Sequence, residues 1–436
     1  MSDEPIIIRK NYSISEVIEE YNRGRRSEEM IYLKNAVEQY RDSMEKRISS
    51  ILSKIPNGDR SAVMKWISEN VGEDIKKYVV MAFFGKLKEG DVLKRSFGKY
   101  KTVSDIGIKV QEPDRTEKNG TMMRMWSEQG EKLRSVLDSP DYKGTKIWES
   151  HAHYNLGQFR DCYKDLLSLM HESGVEVIIN PAVEYATIWK MKELFDAPEY
   201  SYIYYAFGSH PKYLWKEKEL WTNSRWEEFL TLLKSEKCKA VGEAGLDYSF
   251  REFDAIHRDM QMDFFKDFID AANYSKLPML MHIRPSGYDR DCLFDAHDDA
   301  IEILTEKPVK QGAVLHCFNS DREIMERYIN VGVRYFGIGG CITYGDKSIE
   351  EAVRDMPEES LLIETDAPFI KINGDLLPNT SLSLYDISRK IGEIRGCSAK
   401  HILDVSKENM KRLFFRKSSD SDNSQVDDQY NDSGRI

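Results

Sequence analysis

Lys146-Ile147-Trp148-Glu149-Ser150-His151-Ala152-His153 is the stretch on which the reading of the fold turns. A short extended run, Lys146-Ile147, leads into a His-x-His pair. On a strand, residues two apart point to one face, so both imidazoles can converge on a single point in space. Two histidines do not close a metal site, and two incidental histidines at a strand end are the bland alternative. The readings separate on whether later strands also end in a possible ligand.

From Lys146 onward, short apolar runs alternate with longer amphipathic ones. The expected strands are Lys146–His151, Val175–Asn180, Tyr202–Gly208, Ala240–Gly245, Pro278–His282, Gly312–His316, Arg334–Gly339 and Leu361–Asp366. Eight strands separated by helical stretches predict an α/β fold, a parallel sheet closed into a (β/α)8 TIM-like barrel. An open doubly wound sheet is the alternative, but no Gly-x-Gly-x-x-Gly turn follows the first strand.

The C-terminal strand ends then repay inspection, because polar residues at this edge of a barrel point into its mouth. They carry His151 and His153, then Gly208-Ser209-His210-Pro211, then Gly242-Glu243-Ala244-Gly245-Leu246-Asp247-Tyr248. The fifth ends in His282-Ile283-Arg284, the sixth in His316-Cys317-Phe318, and the eighth in Glu364-Thr365-Asp366-Ala367-Pro368. The chain has only nine histidines, and five of them (His151, His153, His210, His282, His316) fall at these ends, which random scatter would rarely produce. Four histidines with two carboxylates suit divalent cations such as Zn²⁺, Mn²⁺ or Mg²⁺ and exceed the needs of one tetrahedral site. Two metals sharing a carboxylate is the economical arrangement.

With these motifs in order, joined by Pro278-Met279-Leu280-Met281 before His282 and by Asn409-Met410-Lys411-Arg412-Leu413-Phe414, the sequence resembles the TatD-type metal-dependent hydrolases. That family, chiefly deoxyribonucleases, belongs to the amidohydrolase superfamily, and the resemblance covers about residues 146–415. It implies that His151, His153 and Asp366 hold one divalent metal, that His282 and His316 hold the other, and that Glu243 bridges. It further implies a metal-activated water attacking phosphorus, Asp366 as proton acceptor, and DNA as substrate, with single strands and 3′ ends favoured. His210 and Arg284 are the candidate substrate contacts; ordering a loop and a structural ion pair are their respective alternatives. Asp247 and Glu364 could orient ligand histidines. Tyr248 and Phe318 could stack a base, with core packing the better expectation for Phe318. His171, His257, His297 and His401 lie in helical stretches and carry no assigned role.

Residues 1–140 read as a separate, mostly helical domain outside the resemblance. Leu33, Val37, Tyr40, Met44 and Ile51 recur at threes and fours until Pro56-Asn57-Gly58, giving an amphipathic helix of about seven turns. Its stripe packs within its own domain or forms a seam for self-association. A second helical patch, Ala62 to Phe84, precedes Lys86–Lys101, where six basic residues stand against two acidic ones around Phe97 and Tyr100. That segment is a solvated basic loop or a nucleic-acid contact. Residues 111–121 read as a loop, a further helix spans about Met125 to Leu137, and the domain boundary is expected near 139–146. Residues 416–436 are Ser-, Asp- and Asn-rich and are expected to form a disordered acidic tail.

The net charge of −11 is divided as +3 over residues 1–140 and −14 over the rest. Carboxylates that hold cations do not exclude a polyanionic substrate. Six scattered cysteines without a Cys-x-x-Cys spacing argue against disulfides or a thiolate zinc site, and with no signal peptide or membrane-length apolar run the chain reads as cytoplasmic.

Three departures from the family pattern bear on substrate. Glu149 stands where the family usually has aspartate, Phe369–Asn379 replaces a basic, proline-containing segment, and the N-terminal domain is extra. Hydrolysis of a small amide, ester or lactone on the same metals, or a structural subunit of a multi-protein assembly, are therefore the alternatives to a nuclease.

Overall fold

The computed structural model describes residues 12–22, 27–56, 58, 60–83, 103–106, 108, 115–249, 253–286, 294–375 and 377–416. The basic segment Lys86–Lys101 and the acidic tail from 417 onward lie outside these described residues, as do residues 111–114 of the expected loop. Two compact units divide the chain, residues 1–118 and 119–436.

In the first unit, α1 (Ile14–Asn22), α2 (Glu28–Leu52), α3 (Arg60–Asn70) and α4 (Glu73–Phe83) follow one another. The long helix starts where Ser27 Oγ accepts from the Met30 backbone N–H at 3.2 Å, an N-cap that satisfies one orphan donor. Its stripe of Met30, Leu33, Val37, Met44 and Ile48 is buried together with Ile14 and Val17 of α1, Val63 and Ile67 of α3, and Ile75 and Val79 of α4. The stripe is thus covered inside its own unit.

The next helix, α5 (Arg115–Leu137), begins within the expected loop and runs ten residues earlier than its periodicity indicated. It carries Trp126, Leu133 and Leu137 into the same core as the barrel strands. That packing is why the units divide at Lys118/Asn119 and not near 139–146.

Eight strands follow: β1 (Ile147–Glu149), β2 (Val175–Pro181), β3 (Ile203–Phe207), β4 (Cys238–Asp247), β5 (Met279–Arg284), β6 (Ala313–Leu315), β7 (Tyr335–Ile338) and β8 (Leu361–Ile363). They form one sheet in sequential order, each pair parallel. This is the expected barrel, with ten helices among the described residues alternating with or following the strands: α6 (Tyr163–Glu172), α7 (Tyr185–Phe195), α8 (Pro211–Glu217), α9 (Asn223–Leu232), α10 (Ala255–Ser275), α11 (Ala296–Glu306), α12 (Arg322–Asn330), α13 (Lys347–Asp355), α14 (Leu384–Arg395) and α15 (Ala399–Phe414).

Two cores result. Ile178, Met279, Met281, Leu361 and Ile363 face the helices, whereas Ile179, Ala240, Leu280, Val314 and Leu362 fill the interior, where Met410 and Leu413 of α15 join them. The barrel closes at its C-terminal rim and not along a long ladder. Asp366 N donates to His151 O at 2.9 Å, His153 N donates to Ala367 O at 2.7 Å, and Ala152 forms an isolated parallel bridge with Ala367. The closing seam is therefore made by the segments that carry three of the candidate ligands.

Candidate metal centre

Strand parity delivers most of the candidate ligands. Leu280, Val314 and Leu362 lie inside the barrel, and side chains alternate along a strand. Two residues further on, His282, His316 and Glu364 therefore enter the mouth, with Asp366 beyond Glu364. Glu243 has the wrong parity relative to Ala240. The β4–β5 register slips between Val241 and Ala244, and this bulge turns Glu243 to the centre. Gly242 next to it sits at φ +151°, and a Cβ there would lie 2.3 Å from Leu280 O, so the close approach of the two strands demands glycine.

His151 and His153 follow immediately after β1 and not within it, yet their Nε2 atoms lie 3.0 Å apart. Glu243 Oε2 stands 3.6 and 3.5 Å from these two nitrogens, and Asp366 Oδ1 stands 3.5 and 3.4 Å from them. On the other side Glu243 Oε1 is 2.9 Å from both His282 Nδ1 and His316 Nε2, which are themselves 3.0 Å apart. One carboxylate thus turns one oxygen to each imidazole pair. All six side chains are buried or nearly so, Asp366 being the most open at 14%.

The donor set fits divalent cations. His153 Nδ1 lies 3.1 Å from Pro181 O, which can only accept, so the proton belongs on Nδ1 and the Nε2 lone pair faces the centre. There it meets two carboxylate oxygens, and Glu243 Oε2 has no hydrogen-bond donor although it is fully buried. Lone pairs facing one another in a desolvated site are costly without a cation among them. Two donors each about 2.1 Å from a metal stand roughly 3.4 Å apart at a tetrahedral angle, close to the separations around His151 and His153. On the rings' far sides, Asp247 Oδ2 lies 3.3 Å from His282 Nε2 and Glu364 Oε1 lies 3.6 Å from His316 Nδ1, the usual way a ligand imidazole is oriented.

Electrostatics agrees. Burial alone would lift the Glu243 carboxyl, but His316, His210 and His151 around it hold it well below the ordinary range. Asp366 is held low in the same way, its burial outweighed by His153 and His151. His151 is pushed down by burial and by the neighbouring His316, whereas His316 is raised well above its usual value because Glu243 and Glu364 outweigh burial. Asp366, with φ +49°, and Cys317, with φ +49°, both hold left-handed backbone that non-glycine residues rarely adopt, strain of the kind that gathers at working sites.

The remaining candidates divide. His210 faces the cluster, its Nε2 3.5 Å from Glu243 Oε1, while its Nδ1 accepts from Lys212 N at 3.0 Å and caps α8. The ring therefore orders its loop while facing the cluster; burial and His282 push its pKa down to about 3. Arg284 ends β5 with an exposed side chain that pairs with no carboxylate among the described residues. Tyr248 is fully buried and donates to Asp299 Oδ2 at 2.6 Å, so no base can reach it; Phe318 is buried against Phe336. His171, His257, His297 and His401 sit on α6, α10, α11 and α15.

Sequence reasoning missed the clasp behind the site. Glu149, fully buried, accepts from His151 N at 3.1 Å and Thr365 N at 3.0 Å through Oε1, and from Thr365 Oγ1 at 2.7 Å and Ser381 Oγ at 3.0 Å through Oε2. Burial pushes its pKa up to about 8 despite these bonds. Thr365 was visible beside Asp366, but Ser381 lies in a stretch with no periodic pattern to mark it.

Residues 149–415 match the sequence model of the family described as TatD related DNase. The metal-dependent hydrolase YabD of Bacillus subtilis is 29% identical over 275 residues, 62% of this chain and 98% of that protein. The 3′-5′ ssDNA/RNA exonuclease TatD of Escherichia coli is 29% identical over 266 residues, 59% of this chain and 94% of its own. Among solved structures, the TatD homologue YjjV of Escherichia coli is 27% identical, with a TM-score of 0.53 over 62% of this chain and 98% of that one.

Proposed function

This chain belongs to the family of TatD-related DNases, metal-dependent hydrolases that act on ester bonds, and we propose that it hydrolyses phosphodiester bonds in DNA, favouring single strands and 3′ ends. The observation that carries this reading is the division of Glu243 between two imidazole pairs. His151, His153 and Asp366 would hold one divalent cation, His282 and His316 another, with Glu243 between them and Mg²⁺, Mn²⁺ or Zn²⁺ as the candidates. Such cations supply Lewis acidity toward a phosphoryl oxygen and a water that ionises near neutral pH.

The chain's own groups do the rest. Asp366 is the most open carboxylate of the cluster; with Oδ1 turned to the His151 and His153 nitrogens, its other oxygen is the one left to take the proton of the attacking water. His210 reaches a phosphate oxygen from the β3 side, and the exposed Arg284 meets the phosphate from the end of β5. Asp247 and Glu364 keep the His282 and His316 rings in orientation.

The N-terminal helical region is accessory in this account, a substrate arm or a surface for a protein partner or self-association. A cytoplasmic setting is part of this proposal; among the described residues no helix is long and apolar enough to cross a membrane, and the five described cysteines are free. The nearness of the TatD exonuclease supports a nucleic-acid substrate over a small amide or ester. Incubating the metal-loaded protein with 5′-labelled single-stranded DNA, RNA and chromogenic esters, beside a Glu243→Ala control, tests the reading. Stepwise shortening of DNA lost in the control supports it; ester hydrolysis with every nucleic acid left intact overturns it.

A further inference from the structure

Most of the rings near the barrel mouth are spent on packing. Phe369 is not: it is 44% exposed, and its ring lies edge-on to the imidazole of His153 with centroids 6.2 Å apart. A large apolar face is left exposed beside a buried cluster of imidazoles and carboxylates.

That exposure is built. The Phe369 N–H donates to Asp366 O at 2.8 Å, folding the chain back just after the candidate ligand and fixing where the ring emerges. Behind it, Asn379 Nδ2 donates to Thr365 O at 2.9 Å and to Ile370 O at 2.8 Å, tying both flanks of the turn to one buried amide. The loop after β7 braces the other side: Tyr344 Oη donates to Lys371 O at 2.7 Å, and Asn373 N donates to Thr343 Oγ1 at 2.8 Å. The two loops meet so closely that a Cβ on Gly340 would lie 2.3 Å from Ile370 O. A loop backbone held by this many bonds presents its ring with little further backbone ordering when something covers it.

We propose that Phe369 is a specificity-determining residue that stacks on the base of the nucleotide at the scissile phosphate and so selects unpaired nucleic acid. Any base offers a π-face to an aromatic ring, whereas a base inside a duplex has both faces covered by its neighbours. A phosphate seated between Glu243, Asp366 and His153 brings its own nucleoside to the ring beside His153. This inference rests on the nuclease reading and names the part of the substrate that the rim holds.

The test compares the metal-loaded wild type with Phe369→Ala and Phe369→Tyr on a labelled single-stranded oligonucleotide and on the same oligonucleotide with an abasic nucleotide at the cleaved position. The wild type should show a KM about tenfold higher for the abasic substrate, the effect falling on KM and not kcat. Phe369→Ala should raise KM for the natural oligonucleotide about as much and erase the difference between the two, while Phe369→Tyr retains it. Metal content measured by atomic emission on each variant confirms that the neighbouring centre is intact. If Phe369→Ala cleaves DNA with the wild-type preference for the natural base, the inference is wrong and the nuclease reading stands. If the wild type cleaves no oligonucleotide but hydrolyses bis(p-nitrophenyl) phosphate, both fall together.

Discussion

Glu149→Ala should strip the barrel of its clasp. The substitution leaves the buried backbone N–H groups of His151 and Thr365 without acceptors, at about 1–3 kcal/mol each. Thr365 Oγ1 and Ser381 Oγ lose less, because Thr365 Oγ1 still accepts from Ala367 N at 3.2 Å and Ser381 Oγ keeps Tyr154 Oη at 2.8 Å. The cavity left by the removed atoms adds about 1–2 kcal/mol. Together the loss should be about 3–8 kcal/mol of barrel stability, read by urea unfolding of the protein in chelator so that metal binding does not enter. The isosteric Glu149→Gln keeps one oxygen for the two N–H groups and can donate to the two hydroxyls, which rotate to accept; about 1 kcal/mol is expected. Because the clasp joins the segments carrying His151 and Asp366, Glu149→Ala should also weaken divalent-metal binding about 10- to 100-fold by calorimetric titration. Unfolding within 1 kcal/mol of wild type and unchanged metal affinity would refute the assignment of the clasp.

Gly337→Ala places a Cβ 1.9 Å from Glu364 Oε2, displacing the carboxylate from His316; metal affinity measured by titration should fall at least about tenfold. Asp366→Asn should lower kcat on single-stranded DNA by about 10²-fold or more with little change in KM, measured at saturating divalent cation. Dialysis against a chelator should abolish cleavage, and added Mn²⁺ or Zn²⁺ should restore it in a fluorescent-oligonucleotide assay. A chain trimmed to residues 119–436 should unfold cooperatively by calorimetry, whereas trimming to 141–436 removes Trp126, Leu133 and Leu137 from the core and should lower the midpoint sharply.

The barrel was legible because its signal is repeated: eight apolar runs, each ending in polar residues. His282 could be read straight from strand parity, and His316 from its continuation one residue past β6; Asp366 lies three residues past β8 on left-handed backbone, which parity does not place. Nor does parity place Glu243, since only the slipped β4–β5 register brings it inward, and His151 and His153 lie beyond the strand whose alternation first suggested them. α5 was assigned to the wrong side of the boundary because its polar surface and two internal glycines weaken the periodicity, while three residues anchor it in the barrel core. The clasp around Glu149 escaped because its bond to Ser381 joins residues far apart in the chain, and local pattern carries no trace of such pairs.

Anomalous diffraction from crystals grown with Mn²⁺ or Zn²⁺ tests the central claim most directly. Two peaks are expected, one among His151, His153 and Asp366 and one beside His282 and His316, with Glu243 contacting both. No peak at these residues in metal-saturated crystals, or ions bound only elsewhere, would contradict it.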